Sequence, residues 1–256
     1  MTLNSQKIEI DLQELDNQQH SQTISNDLQS YKLAKFIAQN NKIRQLNLDI
    51  IQISQKSNLI LQQAFSLLLS IEHLQVQTKN NEDTIQIIDL IQSQSLDIQS
   101  IKKLKFSFNS FVMSQEPSNK ICNFIDKLSR LSNLTLIIEC LTPSQCLQSL
   151  ENSLQNKKLS QLALFMRNNQ LKKEGANHLI NILKKQSELK QLTLFLQNTK
   201  IQFQEFVQIA ESIKNKKIIF LHVPLKYSWL SNIQKTKIQQ LIFKKQKHLV
   251  IAKWNQ

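Results

Sequence analysis

Pairs of apolar residues, the two members separated by one residue, recur along the chain at a nearly constant spacing. The first members of successive pairs lie 28 to 30 residues apart. The eight pairs are Leu46/Leu48, Leu74/Val76, Leu104/Phe106, Leu134/Leu136, Leu162/Leu164, Leu192/Leu194, Leu221/Val223 and Leu249/Ile251. A period of this length is typical of a solenoid, in which one small structural unit is stacked many times.

Each unit combines the pattern of a strand with the pattern of a helix. The two most similar copies, 159–168 and 189–198, align without a gap and begin with alternating apolar residues, as in a strand with one buried face. After the strand the spacing changes to four residues, which is typical of one helix face. This face holds Leu171, Gly175, Leu179 and Leu183 in one copy and Ile201, Glu205, Ile209 and Ile213 in the next. The fold class predicted is α/β.

The Leu-x-x-Leu-x-Leu opening of these copies, followed by Asn168 or Asn198, resembles the leucine-rich repeat of the ribonuclease-inhibitor type. The resemblance extends from about residue 43 to the C-terminus. It implies a horseshoe with parallel strands on the concave face and helices on the convex face. It also places a ladder of residues where the strands end, at Gln52, Asn80, Ser110, Cys140, Asn168, Asn198 and Tyr227. Asparagine suits this position because its amide both donates and accepts hydrogen bonds.

The repeat runs without a linker, so residues 43–256 are predicted to form one solenoid of about eight strands. Residues 1–42 are predicted to form a degenerate N-terminal capping unit that shields the first coil. In this unit a strand is indicated by the alternation of Ile8, Ile10 and Leu12, and a helix by Leu28, Leu33 and Ile37. Between them, residues 16–26 are predicted to form a mobile loop. At the other end, residues 249–254 are predicted to form a last strand with no helix after it.

The composition points to an intracellular protein, with the cytoplasm expected and the nucleus or cilium left open. No apolar run approaches the ~18–20 residues needed to cross a bilayer, and the N-terminus lacks the apolar core of a signal peptide. Cys122, Cys140 and Cys146 have no paired-ligand spacing and are expected to be reduced and structural. With one glycine in the chain, turns must be made by Asn, Ser, Gln and Lys. The Asn, Gln, Lys and Ile bias fits an AT-rich genome with heavy glutamine usage, as in ciliates.

The positive charge is concentrated in the second part of the chain. The net charge is +13 over 256 residues, of which residues 1–100 contribute −4 and the remainder +17. Such a field steers an acidic partner towards the C-terminal coils, and its effect weakens as salt rises. An acidic protein is therefore the expected partner.

The concave face of the predicted horseshoe offers one candidate binding site. Residues between the buried leucines point to this face, and strands in a sheet lie about 4.8 Å apart. Ile137, Phe165 and Phe195 are therefore predicted to form an apolar patch, bounded by His222 on one side. Exposed apolar patches of this kind mark protein-binding sites. The alternative is that the two rings lie flat against each other, or that a slip of one residue turns them inward.

Lysine pairs near the turn from helix to strand offer a second candidate site. Stacking of the coils brings them into a basic rim of Lys157, Lys158, Lys184, Lys185, Lys216, Lys217, Lys244 and Lys245. The rim could dock nucleic acid, an acidic protein tail or a phosphorylated surface. The alternative is that lysines near a helix C-terminus favour the helix dipole and solubility. The near absence of arginine favours this alternative, because specific nucleic-acid readers usually use arginine.

Catalysis has little support in the sequence. The five histidines are scattered over different coils, no serine or cysteine triad motif is present, and one glycine cannot build a phosphate-binding loop. We therefore expect no enzyme activity, cofactor, metal, small-molecule substrate or membrane partner. The leading hypothesis is a scaffold that binds a protein through the concave face of the C-terminal coils. The alternatives are a nucleic-acid-associated protein and, more remotely, a small-GTPase regulator, an activity that the resemblance implies for some family members.

Overall fold

A computed structural model describes residues 19–40, 43–68, 70–92, 97–108, 112–140, 142–225, 228, 230–245, 249 and 251–253. Over these residues, nine parallel strands form one open sheet in strict chain order. Helices alternate with the strands. The architecture is thus an α/β fold that is consistent with a repeat solenoid.

The strands are short and the helices run for about three to four turns. The strands are β1 Gln19–Ile24, β2 Gln45–Ile50, β3 His73–Thr78, β4 Lys103–Phe108, β5 Asn133–Ile137, β6 Gln161–Phe165, β7 Gln191–Phe195, β8 Phe220–His222 and β9 Ile251–Lys253. The helices are α1 Asp27–Gln39, α2 Gln55–Phe65, α3 Asn81–Gln92, α4 Gln115–Lys127, α5 Pro143–Ser153, α6 Lys172–Lys185, α7 Phe203–Ile213 and α8 Asn232–Lys245, with a 3-10 turn at Ile98–Ser100.

The leucine pairs set the register of the sheet from β2 to β8. Leu46 lies opposite Leu74, which lies opposite Leu104, and the same row continues through Leu134, Leu162, Leu192 and Leu221. All seven residues of the row are buried. The spacing therefore predicts the pairing correctly, because a one-residue slip would turn every leucine to the other face.

Both ends of the sheet depart from the predicted pattern. Residues 19–24, predicted to lie in a mobile loop, form β1 and pair in parallel with β2. The predicted strand around Ile8 to Leu12 lies outside the described residues. At the other end Ala252, not Leu249, lies opposite Leu221, so the last coil measures 31 residues. The shift arises because this coil is longer than the others, so the final apolar pair falls out of step.

The core lies between the sheet and a single layer of helices, and it runs continuously from Ile24 to Ile242. Successive helices pack on one another in chain order, from α1 on α2 to α7 on α8. The helix faces predicted for the coils of α6 and α7 are buried, Gly175 and Glu205 included. In α1, Leu33 and Ile37 are buried but Leu28 is exposed. Strand residues that alternate with the core rows point away from the helices, and we call this side of the sheet the open face. No described helix is long and apolar enough to span a membrane.

Buried polar side chains join neighbouring coils. In each case a backbone N–H group of one coil donates to a side-chain oxygen of the next coil, over 2.6 to 3.1 Å. Asn169 and Gln186 also donate back, to the carbonyl oxygens of Ile138 and Leu154. The four donor and acceptor pairs are Ile53 and Asp83, Ile71 and Ser100, Cys140 and Asn169, and Leu159 and Gln186. These bonds hold adjacent coils together, because separating the coils would leave buried polar groups without a partner and lower the stability of the fold.

In the coil that follows β6 the buried amide comes one residue later than the ladder position predicted from the sequence, and the predicted positions Ser110 and Tyr227 lie outside the described residues. Asn168 and Asn198 are exposed and adopt left-handed backbone conformations, with φ of 62° and 56°. The buried amide in this turn belongs to Asn169, which is 1% exposed. Lys172 and Lys200 also have positive φ. These four residues confirm that Asn and Lys make turns in a chain that has a single glycine, although left-handed backbone costs such residues about 1–2 kcal/mol.

Gly175 lies where α6 approaches α5, and we predict that Gly175→Ala destabilises the protein. An added Cβ would lie 3.1 Å from both Cβ and Cδ2 of Leu171 and 3.4 Å from Oγ of Ser144. The Cβ of Leu171 is fixed by its backbone and cannot move aside. We expect the clash to outweigh the helix preference for alanine, with a net loss of about 1 kcal/mol measured by urea unfolding. An increase in stability would show that the helices have room at this contact.

Candidate functional site

The aromatic residues predicted for the patch come together on the open face. Ile137, Phe165 and Phe195 lie in register on β5, β6 and β7. The rings of Phe165 and Phe195 stack with centroids 4.6 Å apart and an interplanar angle of 14°. The ring of His222 meets Phe195 edge-on, with centroids 4.7 Å apart. We call these four residues, together with Arg167, the aromatic cluster.

Phe195 forms the floor of this cluster rather than its surface. Its side chain is 7% exposed, so the prediction of an exposed Phe195 is wrong. Phe165 stacks on its ring, and the guanidinium carbon of Arg167 lies 4.5 Å from the ring centroid. Arg167 is held in place by donating from Nε to the side-chain oxygen of Gln197 over 3.0 Å. The rings lie against each other, as the alternative from the sequence stated, and Phe165 and Ile137 stay partly exposed.

A cavity of about 380 Å³ opens beside the partly exposed members of the cluster. Phe108, Ile137 and Phe165 supply its apolar wall, and Glu139 and Arg167 supply charge at its edge. Small apolar pockets with a few polar groups at the rim suit the side chain of a bound protein. Arg167 was not predicted from the sequence to lie at this rim. The available signal was its position two residues after Phe165, just beyond the end of β6.

The basic rim divides into lysines with structural contacts and lysines that face solvent. Lys157 donates to the carbonyl oxygen of Asp126 over 2.5 Å, and Lys216 donates to that of Gln186 over 2.8 Å. Burial lowers the pKa of both lysines. Each lysine therefore caps the C-terminal end of the helix in the preceding coil.

The other rim lysines lie nearer the solvent. Lys158 and Lys185 form ion pairs with Glu188 and Glu151, each over 3.3 Å. Lys184 and Lys217 are exposed. The side chains of Lys244 and Lys245, on α8, lie outside the described residues. The described rim is thus only partly available to an anionic partner.

Glu151 connects α5 to α6, and we predict that this connection weakens in acid. Burial raises the pKa of Glu151, but hydrogen bonds with His178, Asn181 and Lys185 outweigh burial and lower it below the ordinary 4.5. Its contribution to stability is therefore present above this value and is lost as the pH falls through the lowered pKa.

Glu151→Gln should lower the free energy of unfolding by about 1 kcal/mol near pH 7, and the difference from the unaltered protein should shrink near pH 3.5. Urea unfolding at both pH values measures it. The control is Glu188→Gln, because Glu188 forms an exposed pair with Lys158 and should matter little. A difference that does not change with pH would contradict the assignment.

The three cysteines belong to the buried core of the described chain. Cys122, Cys140 and Cys146 are free and buried. Burial raises the pKa of the Cys122 thiol, and a hydrogen bond with Cys146, together with burial, raises that of Cys140. Such thiols react slowly because the thiolate is the reactive form. Among the described residues, no group of three or more His, Cys, Asp and Glu side chains is placed to hold a metal ion.

The chain matches no model of a known protein family and no curated protein sequence.

Proposed function

We propose that this chain is a non-catalytic scaffold that binds a protein through the open face of its sheet. The observation that carries the proposal is the aromatic cluster, which presents Phe165 and Ile137 beside an open cavity. Much of the remaining open face carries amide side chains. A stacked pair of rings is rigid, so little conformational entropy is lost when a partner contacts it. Aromatic anchors of this kind dominate the binding energy of protein interfaces.

We also propose that the sheet belongs to a leucine-rich repeat horseshoe of the ribonuclease-inhibitor type, with the open face as its concave side. The support is the 28- to 30-residue spacing, the Leu-x-x-Leu-x-Leu opening of the strands and the parallel register from β2 to β8. A concave sheet would wrap around a partner and bring the residues of several strands into contact with it at once. Small-angle X-ray scattering should then give an arc-shaped envelope, whereas a straight rod would contradict the horseshoe.

The basic rim supports the alternative of nucleic-acid binding less well. Lys157 and Lys216 donate to backbone carbonyl groups, and Lys158 and Lys185 pair with glutamates. Lysines with partners inside the protein release fewer counterions when an anion binds, so they add less to affinity for a phosphate backbone. Regulation of a small GTPase stays a prediction from the resemblance alone.

The proposal predicts that Phe165→Ala reduces partner capture. Truncation of an aromatic anchor typically costs 2 kcal/mol or more, so affinity should fall by about 30-fold. The measurement is an affinity pull-down from a lysate of the cells that make the protein, with and without nuclease, followed by quantitative mass spectrometry. Proteins bound through the cluster should be lost from the variant and should resist nuclease.

The matched control is Tyr31→Ala, which removes an aromatic side chain that is 60% exposed on α1. Thermal unfolding of both variants checks that each remains folded. Equal recovery of all proteins by unaltered protein and Phe165→Ala would show that the cluster is not the binding site. Recovery that disappears with nuclease would favour the nucleic-acid alternative.

A further inference from the structure

A second cavity on the open face is polar and lies apart from the aromatic cluster. It has a volume of about 390 Å³ and extends from β2 to β6 along the first halves of the strands. Lys103 and Lys105 point into it from β4, with Gln75 on one side and Asn133 and Gln161 on the other. We call this cavity the amide-lysine pocket. None of its described lining residues carries a negative charge.

The two lysines of the pocket have no acidic partner among the described residues, unlike their neighbours. Lys102, the adjacent residue, pairs with Glu72 over 2.8 Å, and Arg44 pairs with the same carboxylate over 3.3 Å. Neither Lys103 nor Lys105 has a carboxylate oxygen within 4.0 Å in the described part of the chain. The pocket therefore concentrates two positive charges that the protein does not neutralise, and these attract an anionic group.

Hydrogen bonds link several of the polar side chains around the lysines to one another. Asn133 donates to the side-chain oxygen of Gln161 over 3.0 Å, and Ser132 and Ser160 donate to the side-chain oxygen of Asn133. On the other side of the pocket, Nδ1 of His73 lies 3.3 Å from Oε1 of Gln45. Because Gln161 accepts through its oxygen, its amide N–H groups remain to donate to an anion beside the lysines.

We propose that the amide-lysine pocket binds carboxylates of an extended acidic segment in the protein partner. The inference rests on the proposed function, because it assigns the pocket and the aromatic cluster to one partner. Lys105 and Phe165 are separated by two strands and by two residues along the strand, which places them about 12 Å apart. A span of about four extended residues covers this distance, so one segment can reach both sites.

A peptide carboxylate fits this pocket better than a nucleic-acid phosphate does. No arginine is among the described residues that line the pocket. Lysine contacts an anion as a compact point charge, and the lining lacks the arginine fork that makes most of the bidentate contacts in nucleic-acid recognition. The aromatic cluster adds an apolar contact that an acidic segment with one large apolar residue satisfies.

A labelled hexaglutamate peptide tests the pocket by fluorescence anisotropy with the full chain. The double variant Lys103→Gln/Lys105→Gln should bind this peptide about tenfold more weakly than unaltered protein. The control is Lys184→Gln/Lys217→Gln, which removes the same charge from exposed lysines of the basic rim and should weaken binding less than about twofold. A hexalysine peptide and a short oligothymidylate serve as further probes.

Equal weakening in both double variants would overturn the proposal, because it would show a general effect of net charge. Failure of hexaglutamate to bind unaltered protein would also overturn it, as would tighter, pocket-dependent binding of the oligothymidylate. The peptide has no apolar residue, so its binding is independent of Phe165. If Phe165→Ala does not reduce partner capture but the peptide binds the pocket, the aromatic cluster is rejected as a binding site and the pocket is supported. If Phe165→Ala reduces capture but the peptide does not bind, the pocket is rejected and the cluster is supported.

Discussion

Replacement of Asn169 by leucine should lower the free energy of unfolding by about 4 kcal/mol, because two buried backbone groups lose their partner. The Asn169 side chain accepts from the N–H of Cys140 over 2.6 Å and donates to the carbonyl oxygen of Ile138 over 3.0 Å. Leucine has a similar size but makes neither bond, and water cannot reach the groups it would leave. Urea unfolding followed by circular dichroism measures the change.

The control for this variant is Asn168→Gly at the adjacent position. Asn168 is exposed and has a φ of 62°, a conformation that glycine adopts without strain. We expect a change within about 0.5 kcal/mol. A similar loss of unfolding free energy in Asn169→Leu and Asn168→Gly would contradict this prediction. It would show that stability depends on the conformation of the turn and not on the hydrogen bonds of the Asn169 side chain.

Phe106→Ala should cost about 3–5 kcal/mol, the usual range when a fully buried phenylalanine is truncated. Phe106 is among the largest fully buried side chains of the described chain and lies on β4 opposite Val76 and Leu136, in the second buried row of the sheet. Its ring stacks on Phe108 and meets Phe124 of α4 edge-on, with centroids 5.8 Å and 6.1 Å away. The cavity would therefore open at the contact between sheet and helix layer, and the urea midpoint should fall sharply.

Tyr31→Ala is the comparison for this experiment because Tyr31 is an aromatic residue on the solvent side of α1. Its truncation should change stability by less than about 1 kcal/mol. Equal losses for Phe106→Ala and Tyr31→Ala would contradict the packing described for the core.

The sequence predicts the middle of the fold well because every coil there repeats one apolar row. The leucine row from Leu46 to Leu221 gives strand position, face and register together. The signal fails at β1, where His20 and Gln22 occupy the register positions of the leucine pair and leave no apolar alternation to detect. It fails again at β9, where the longer last coil brings Ile251 opposite Phe220.

The candidate site was only partly predictable for a different reason. Register alone brings Ile137, Phe165 and Phe195 together, since it depends on the backbone. Exposure depends on neighbouring side chains, and the contacts of Arg167 and His222 that cover Phe195 come from two other positions in the chain. The same holds for Lys157 and Lys216, whose carbonyl partners lie a full coil earlier. Short-range patterns do not report such contacts.

The most direct test of the open face as the binding surface is photo-cross-linking from single positions. A photoreactive amino acid is placed at Thr135, which lines the amide-lysine pocket two residues before Ile137 of the aromatic cluster. It is compared with the same amino acid at Leu59, which is exposed on α2. Both proteins are irradiated in a lysate of the cells that make the protein, and cross-linked products are identified by mass spectrometry. We predict defined protein products from Thr135 that are absent from Leu59. Products from Leu59 alone would contradict the account and assign binding to the helix side of the molecule.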